Sequence, residues 1–151
     1  MTLSMRRLNP VIGTEISGIQ VTRDLGDNAF GELYQAWLDS GGLMVLRDQE
    51  LEPEDQIAFS QRFGELDPLK GQTVEPYLLP GHPEIYRVSN KVKDGEKLGR
   101  QRAGTYWHSD NSHKERAAKA SLLYGIEIPE YGGDTQFAGM ARAWEELSPT
   151  Y

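Results

Sequence analysis

Apolar side chains at Phe30, Leu33, Tyr34, Trp37 and Leu38 recur three and four positions apart, a spacing that lines one face of a helix and predicts that this face lies on a sheet. Asp27 offers an N-cap in front of the run, and Gly41-Gly42 supplies a stop behind it. Leu43-Met44-Val45-Leu46 follows at once as a buried strand. Pro53 then opens a second helix carrying Ile57, Phe59 and Phe63, which Gly64 closes. Upstream, residues 11–21 (VIGTEISGIQV) alternate imperfectly around two glycines, the pattern of a short strand broken by a bulge or turn.

From Asp67 to Pro83 periodicity fades among prolines and glycines, which predicts a long loop. Ile85 to Val92 reads as a strand, Lys93-Asp94-Gly95-Glu96 as a hairpin turn, and Gly99 to Gly104 as an irregular basic segment. Ala120 to Ile128 (ASLLYGIEI) is a second apolar run of strand length, followed by a turn over Pro129 to Gly133 and a short strand over Thr135 to Ala138. Met140, Ala143, Trp144 and Leu147 predict a last short helix. Ser148 and Pro149 then signal the start of another just before the sequence stops, so the chain reads as the front of a longer protein.

The chemistry concentrates in Tyr106-Trp107-His108-Ser109-Asp110. In an extended strand, residues two apart share a face, so the His108 imidazole and the Asp110 carboxylate can converge on one metal ion. A second histidine from elsewhere would complete a facial triad that leaves adjacent coordination positions open. A His-x-Asp triplet alone is weak evidence, because exposed His and Asp are common surface residues. His113 lies too close in sequence for an easy facial geometry, and His82 sits in the Pro-rich loop with no motif around it; both are read as non-ligands.

The wider order is specific. Trp107-His108-Ser109-Asp110, an apolar strand, Pro129, Gly132-Gly133-Asp134-Thr135 and then Ala143 to Ser148 resemble the taurine dioxygenase and 2,4-dichlorophenoxyacetate dioxygenase (TauD/TfdA) family. Gly13 to Ile19, Gly42 to Gln49 and Asp55 to Glu65 resemble that family's opening strand, buried strand and second helix, so the similarity spans nearly the whole chain. The resemblance implies an α+β, mainly β, fold with a double-stranded β-helix (jelly-roll) core and flanking helices, incomplete here because residues 1–151 correspond to the N-terminal part of a single dioxygenase domain. It implies that His108 and Asp110 bind Fe(II), that Thr135 hydrogen-bonds the distal carboxylate of 2-oxoglutarate, and that O₂ is the second co-substrate. A third ligand and a 2-oxoglutarate-binding arginine would lie far downstream of Asp110. Substrates of such enzymes are small molecules, often anions such as sulfonates, sulfate esters or aryloxyacetates. Lys70, in the loop after the second helix, could offer a cation to one, and Arg100 and Arg102, just before the metal motif, could do the same, although each reads more readily as a solvated surface cation. The resemblance also implies a homo-oligomer.

Composition narrows the alternatives. The absence of cysteine excludes disulfides, thiolate metal sites and cysteine nucleophiles together, so any metal is held by nitrogen and oxygen. A formal charge of −7 opposes attraction to a phosphate backbone, and nucleic acid is not expected as a partner. Apolar runs fall far short of the roughly 20 residues a membrane span requires, and residues 1–10 lack a secretory pattern, which points to the cytoplasm. Two other readings stay open at this stage. One is a cupin-type metalloenzyme that does not use 2-oxoglutarate; the other is a truncated or degenerate paralogue acting as a non-catalytic binding module.

Overall fold

The computed structural model describes residues Leu3 to Thr150. They form two compact units, one comprising the chain up to Glu50 and from Gly125 onward, the other Leu51–Tyr124. No described helix is long and apolar enough to cross a membrane.

The first unit is built on a three-stranded sheet in the order β1-β2-β3. β1 (Ser4–Arg7) runs antiparallel to β2 (Thr14–Ser17), with Arg6 opposite Glu15, and β2 runs parallel to β3 (Met44–Leu46), with Glu15 opposite Val45. A parallel pair needs a crossover, and α1 (Asp27–Asp39) provides it. Leu33 and Ala36 are the buried residues of α1; with Ile12, Ile16, Ile19 and Val21 they make up the apolar core of this unit. Phe30, Tyr34 and Trp37 stack along the helix with ring centroids 5.8 and 5.5 Å apart.

Several expectations are refined here. Gly26, not Asp27, is the N-cap; Asp27 is the first helical residue, where its carboxylate still faces the positive end of the helix dipole. β3 is half-buried rather than buried, as befits an edge strand. The helix does stop at the paired glycines: Gly41 (φ 72°) and Gly42 (φ 88°) adopt a left-handed backbone that costs glycine nothing. The fully buried Ser40 closes the corner, its hydroxyl donating to the Trp37 carbonyl at 2.6 Å and its own carbonyl accepting from Gly13 N–H at 2.8 Å.

On the other side of β2, Glu15 bridges the sheet. It accepts from Arg47 Nε at 2.8 Å and from Arg6 at 2.9 Å. The Arg47 guanidinium first, and Arg6 second, hold its carboxyl below the usual glutamate range.

The same unit contains residues 125–150. The strands expected over 120–128 and 135–138 do not form, because a strand exists only with a hydrogen-bonded neighbour and no described segment pairs with either. Ile126, Ile128, Tyr131 and Phe137 are exposed in consequence. α3 (Met140–Glu145) is the expected short helix, ending two residues before the last apolar position of its pattern, Leu147.

In the second unit, α2 (Pro53–Gln61) begins with proline in its first turn. The Asp55 carboxylate reaches back to accept from the Glu52 N–H at 3.2 Å. Phe59 and Phe63 are buried and pack edge to face at 5.4 Å. The expected long loop holds a 3₁₀ turn (Glu75–Tyr77) and β4 (Leu78–Leu79), which pairs with β5 (His82–Tyr86). β5 thus starts before Ile85 and ends well before Val92. Beyond it Arg87 and Ser89 pair with Arg100 instead of extending the strand: Arg100 N–H donates to the Arg87 carbonyl at 2.9 Å and Ser89 N–H to the Arg100 carbonyl at 3.3 Å. The hairpin forms as expected, β6 (Val92–Lys93) and β7 (Glu96–Lys97) joined by Asp94 and Gly95 with φ of 52° and 84°, the positive pair of a type I′ turn. Three small sheets of three, two and two strands are therefore what the described residues form; together with three α-helices they make a mixed architecture, and no double-stranded β-helix closes among them.

Candidate functional site

No strand carries His108 and Asp110. Residues 107–109 are irregular and Asp110 enters a turn whose next residue, Asn111, has φ 52°. The two side chains converge nonetheless: His108 Nε2 lies 3.2 Å from Asp110 Oδ1. The sequence expectation of convergence thus holds through a different local geometry.

Each partner is oriented from behind. His108 Nδ1 is 2.8 Å from the Tyr106 carbonyl oxygen; a carbonyl can only accept, so Nδ1 carries the proton and Nε2 faces the carboxylate. Asp110 Oδ2 accepts from Ser121 Oγ at 2.6 Å, which leaves Oδ1 for whatever His108 faces. The turn behind the pair is tied down as well: Asp67 Oδ2 accepts from Asn111 Nδ2 at 2.6 Å and from Lys114 Nζ at 3.2 Å. The rings of Tyr106 and His108 lie 5.3 Å apart.

These donors suit a divalent cation. Bonds of about 2.1 Å to imidazole nitrogen and carboxylate oxygen place neighbouring ligands about 3.0 Å apart at a right angle, close to the observed separation of 3.2 Å. As a salt bridge the contact would do little. With side chains 41% and 54% exposed, it would contribute at most about 1 kcal/mol. Among the described residues no group of three His, Cys, Asp or Glu side chains is assembled, so His108 and Asp110 stand as a candidate pair of ligands.

The pair opens into a cavity of about 420 Å³ lined also by Tyr86, Arg100, Arg102, Tyr106, Asn111 and His113. His113, set aside on sequence grounds, shares that wall. His82 lies elsewhere, on β5, with Nε2 3.7 Å from Glu54 Oε1. Lys70 is exposed in a turn and does not line the cavity. Thr135 is exposed in irregular chain of the other compact unit. Sequence reasoning missed Ser121 and Asp67, whose roles depend on contacts 11 and 44 residues away in the chain. Arg100 and Arg102 carried a signal, their position just before the motif, but nothing local distinguished them from Lys70.

A family model described as "Taurine catabolism dioxygenase TauD, TfdA family" matches residues 4–151. Pentalenolactone F synthase of Streptomyces arenae is 37% identical over 141 residues, covering 91% of this chain and 46% of that protein. The alpha-ketoglutarate-dependent 2,4-dichlorophenoxyacetate dioxygenase of Cupriavidus pinatubonensis is 30% identical over 157 residues, covering 97% of this chain and 53% of that protein. Among solved structures, a taurine dioxygenase from Burkholderia xenovorans superposes with a TM-score of 0.77 at 34% identity, covering 98% of this chain and 49% of that one. The chain thus spans about half the length of the relatives it matches.

Proposed function

Because the chain belongs to the TauD, TfdA family, we propose that the complete protein is an Fe(II)- and 2-oxoglutarate-dependent dioxygenase that hydroxylates a small anionic organic substrate with release of succinate and CO₂. The observation that carries this reading is the 3.2 Å approach of His108 Nε2 to Asp110 Oδ1 with both remaining donor atoms already engaged. Iron held there would supply the redox chemistry that couples decarboxylation of the co-substrate to oxygenation of a C–H bond.

The chain's own residues do the positioning. The Tyr106 carbonyl fixes the imidazole tautomer, the Ser121 hydroxyl turns the carboxylate, and Asp67 holds the following turn. Tyr86 and Tyr106 give the cavity aromatic surface against which the body of a substrate can lie. Thr135 is assigned to the distal carboxylate of 2-oxoglutarate, and a jelly-roll core to the complete domain, on the strength of family membership. The third iron ligand and the arginine for 2-oxoglutarate are assigned to chain outside residues 1–151. The same reading makes the enzyme a cytoplasmic homo-oligomer.

Anaerobic addition of Fe(II) and 2-oxoglutarate to the full-length protein should produce a visible charge-transfer absorption. His108→Ala and Asp110→Ala should each abolish it while leaving the melting temperature within a few degrees. An absorption that survives both substitutions would assign the metal to other residues, and its absence from the unmodified protein would remove the dioxygenase reading.

A further inference from the structure

Resting on the dioxygenase reading, we propose that Arg100 and Arg102 form the docking site for the oxyanion of the primary substrate, a carboxylate, sulfonate or sulfate monoester, and thereby decide which molecules are presented to the His108–Asp110 pair.

Both arginines line the same cavity as His108 and Asp110. Neither side chain has an ion-pair or hydrogen-bond partner among the described residues, whereas Arg6, Arg47, Arg116, Arg142 and Lys114 each face a carboxylate. The one acidic residue on the cavity wall, Asp110, is occupied by His108 and Ser121. Two arginines that face no carboxylate among the described residues therefore line the cavity of the candidate metal pair, and a guanidinium can present a planar fork of N–H donors to an oxyanion.

Their placement is built rather than incidental. Arg100 is clamped through its backbone on both sides, to the Arg87 carbonyl and the Ser89 N–H. That clamp closes because residue 99 is glycine: a Cβ there would lie 2.7 Å from the Arg87 carbonyl oxygen and 2.8 Å from the Ser89 nitrogen. Arg102 follows in a turn with φ 56°, unusual for a side-chain-bearing residue. The surrounding field has the right sign. Residues 87–102 hold six basic and two acidic side chains in a chain whose formal charge is −7, so an anion is drawn to this segment against the trend of the molecule.

The remaining wall limits the shape of the ligand. A volume of about 420 Å³ falls in the range of small-molecule sites, roughly 300 to 1,000 Å³. Tyr86 and Tyr106 supply aromatic surface beside the cations, which fits a molecule with one anionic head and an apolar or aromatic body. Lys70 does not line this wall. The same head-group chemistry could come from the distal carboxylate of 2-oxoglutarate, so the test must separate the two sources.

Calorimetric titration of the full-length protein with Mn(II), then 2-oxoglutarate, then phenoxyacetate, hexyl sulfate or hexanesulfonate reads each step in turn, with neutral phenoxyacetamide as the uncharged control. At least one of the three anions should bind more tightly than the amide. In an Arg100→Gln/Arg102→Gln double variant its affinity should fall about 10- to 100-fold, the loss expected for hydrogen bonds to a charged partner, with the affinities for Mn(II) and 2-oxoglutarate unchanged. Arg100→Lys should recover part of the affinity by restoring charge without the fork. The proposal is overturned if none of the anions binds, if the amide binds as well as the acid, or if the double variant instead loses 2-oxoglutarate. Failure of the unmodified protein to take Mn(II) would be different, since it would remove the dioxygenase reading itself.

Discussion

The sheet around β2 and the turn around Asp110 are held by opposite means. Ile16 and Leu33 have no measurable solvent exposure, and Val21 has 1%; their positions are over-determined by packing from several sides. His108, Asp110 and Ser121 are exposed and are held by point contacts: His108 donates to the Tyr106 carbonyl, Ser121 donates to Asp110, and Asn111 in the following turn donates to Asp67. Burial makes a region stable and indifferent to chemistry, whereas point contacts leave donor atoms available at the cost of local stability. A metal pair belongs in the second kind of region, because a ligand atom consumed by packing cannot bind anything.

Four substitutions break or sharpen this contrast. Leu33→Ala should have the largest effect, destabilising by about 2 to 5 kcal/mol through lost burial and a residual cavity; a loss under about 1 kcal/mol in chemical denaturation would show that burial does not hold the sheet unit. Gly99→Ala comes next, at about 1 to 3 kcal/mol for forcing the Arg87–Arg100 clamp apart. Amide hydrogen exchange should locate that damage at Ser89 and Arg100, and unchanged protection there would mean that the clamp tolerates a methyl group. Ser121→Ala should leave thermal unfolding within a degree or two but weaken Mn(II) binding by about tenfold, the lower end of what an outer-shell partner contributes. If Ser121→Ala lowered the melting temperature instead, the hydroxyl would be structural and the contrast between the regions would blur.

The smallest effect is one of pH. Glu15 has a lowered folded-state pKa, so its ion pairs add stability that is complete above its ordinary value of 4.5 and is lost as pH falls through the lowered value. Glu15→Gln should flatten the acid side of the stability profile while leaving metal binding untouched. An unchanged acid limb would mean that the two arginines contribute equally with or without the carboxylate.

How much was legible in advance depends on the range of the interaction. α1 and α2 were readable because helical periodicity, the first-turn proline and the glycine stops are local features whose consequences are also local. The Asp94-Gly95 hairpin was readable for the same reason. β1 was not anticipated: Ser4–Arg7 is exposed along its whole length, carries no alternation, and exists as a strand only because β2 lies beside it. The expected strands over 120–128 and 135–138 are the converse, an apolar pattern without a neighbour to pair with among the described residues.

The His108–Asp110 pair divides in the same way. Residue type and a spacing of two were sufficient to expect that His108 and Asp110 could meet, since the reach between neighbours in sequence is short whatever the backbone does, and the wider order of motifs singled them out. Their arrival by a turn rather than a strand, the hydrogen bond from Ser121, the Asp67 anchor, and the presence of Arg100 and Arg102 but not Lys70 on the cavity wall were decided by tertiary structure alone. Those contacts join positions far apart in the chain, and no local preference of either partner encodes which distant side chain it will meet.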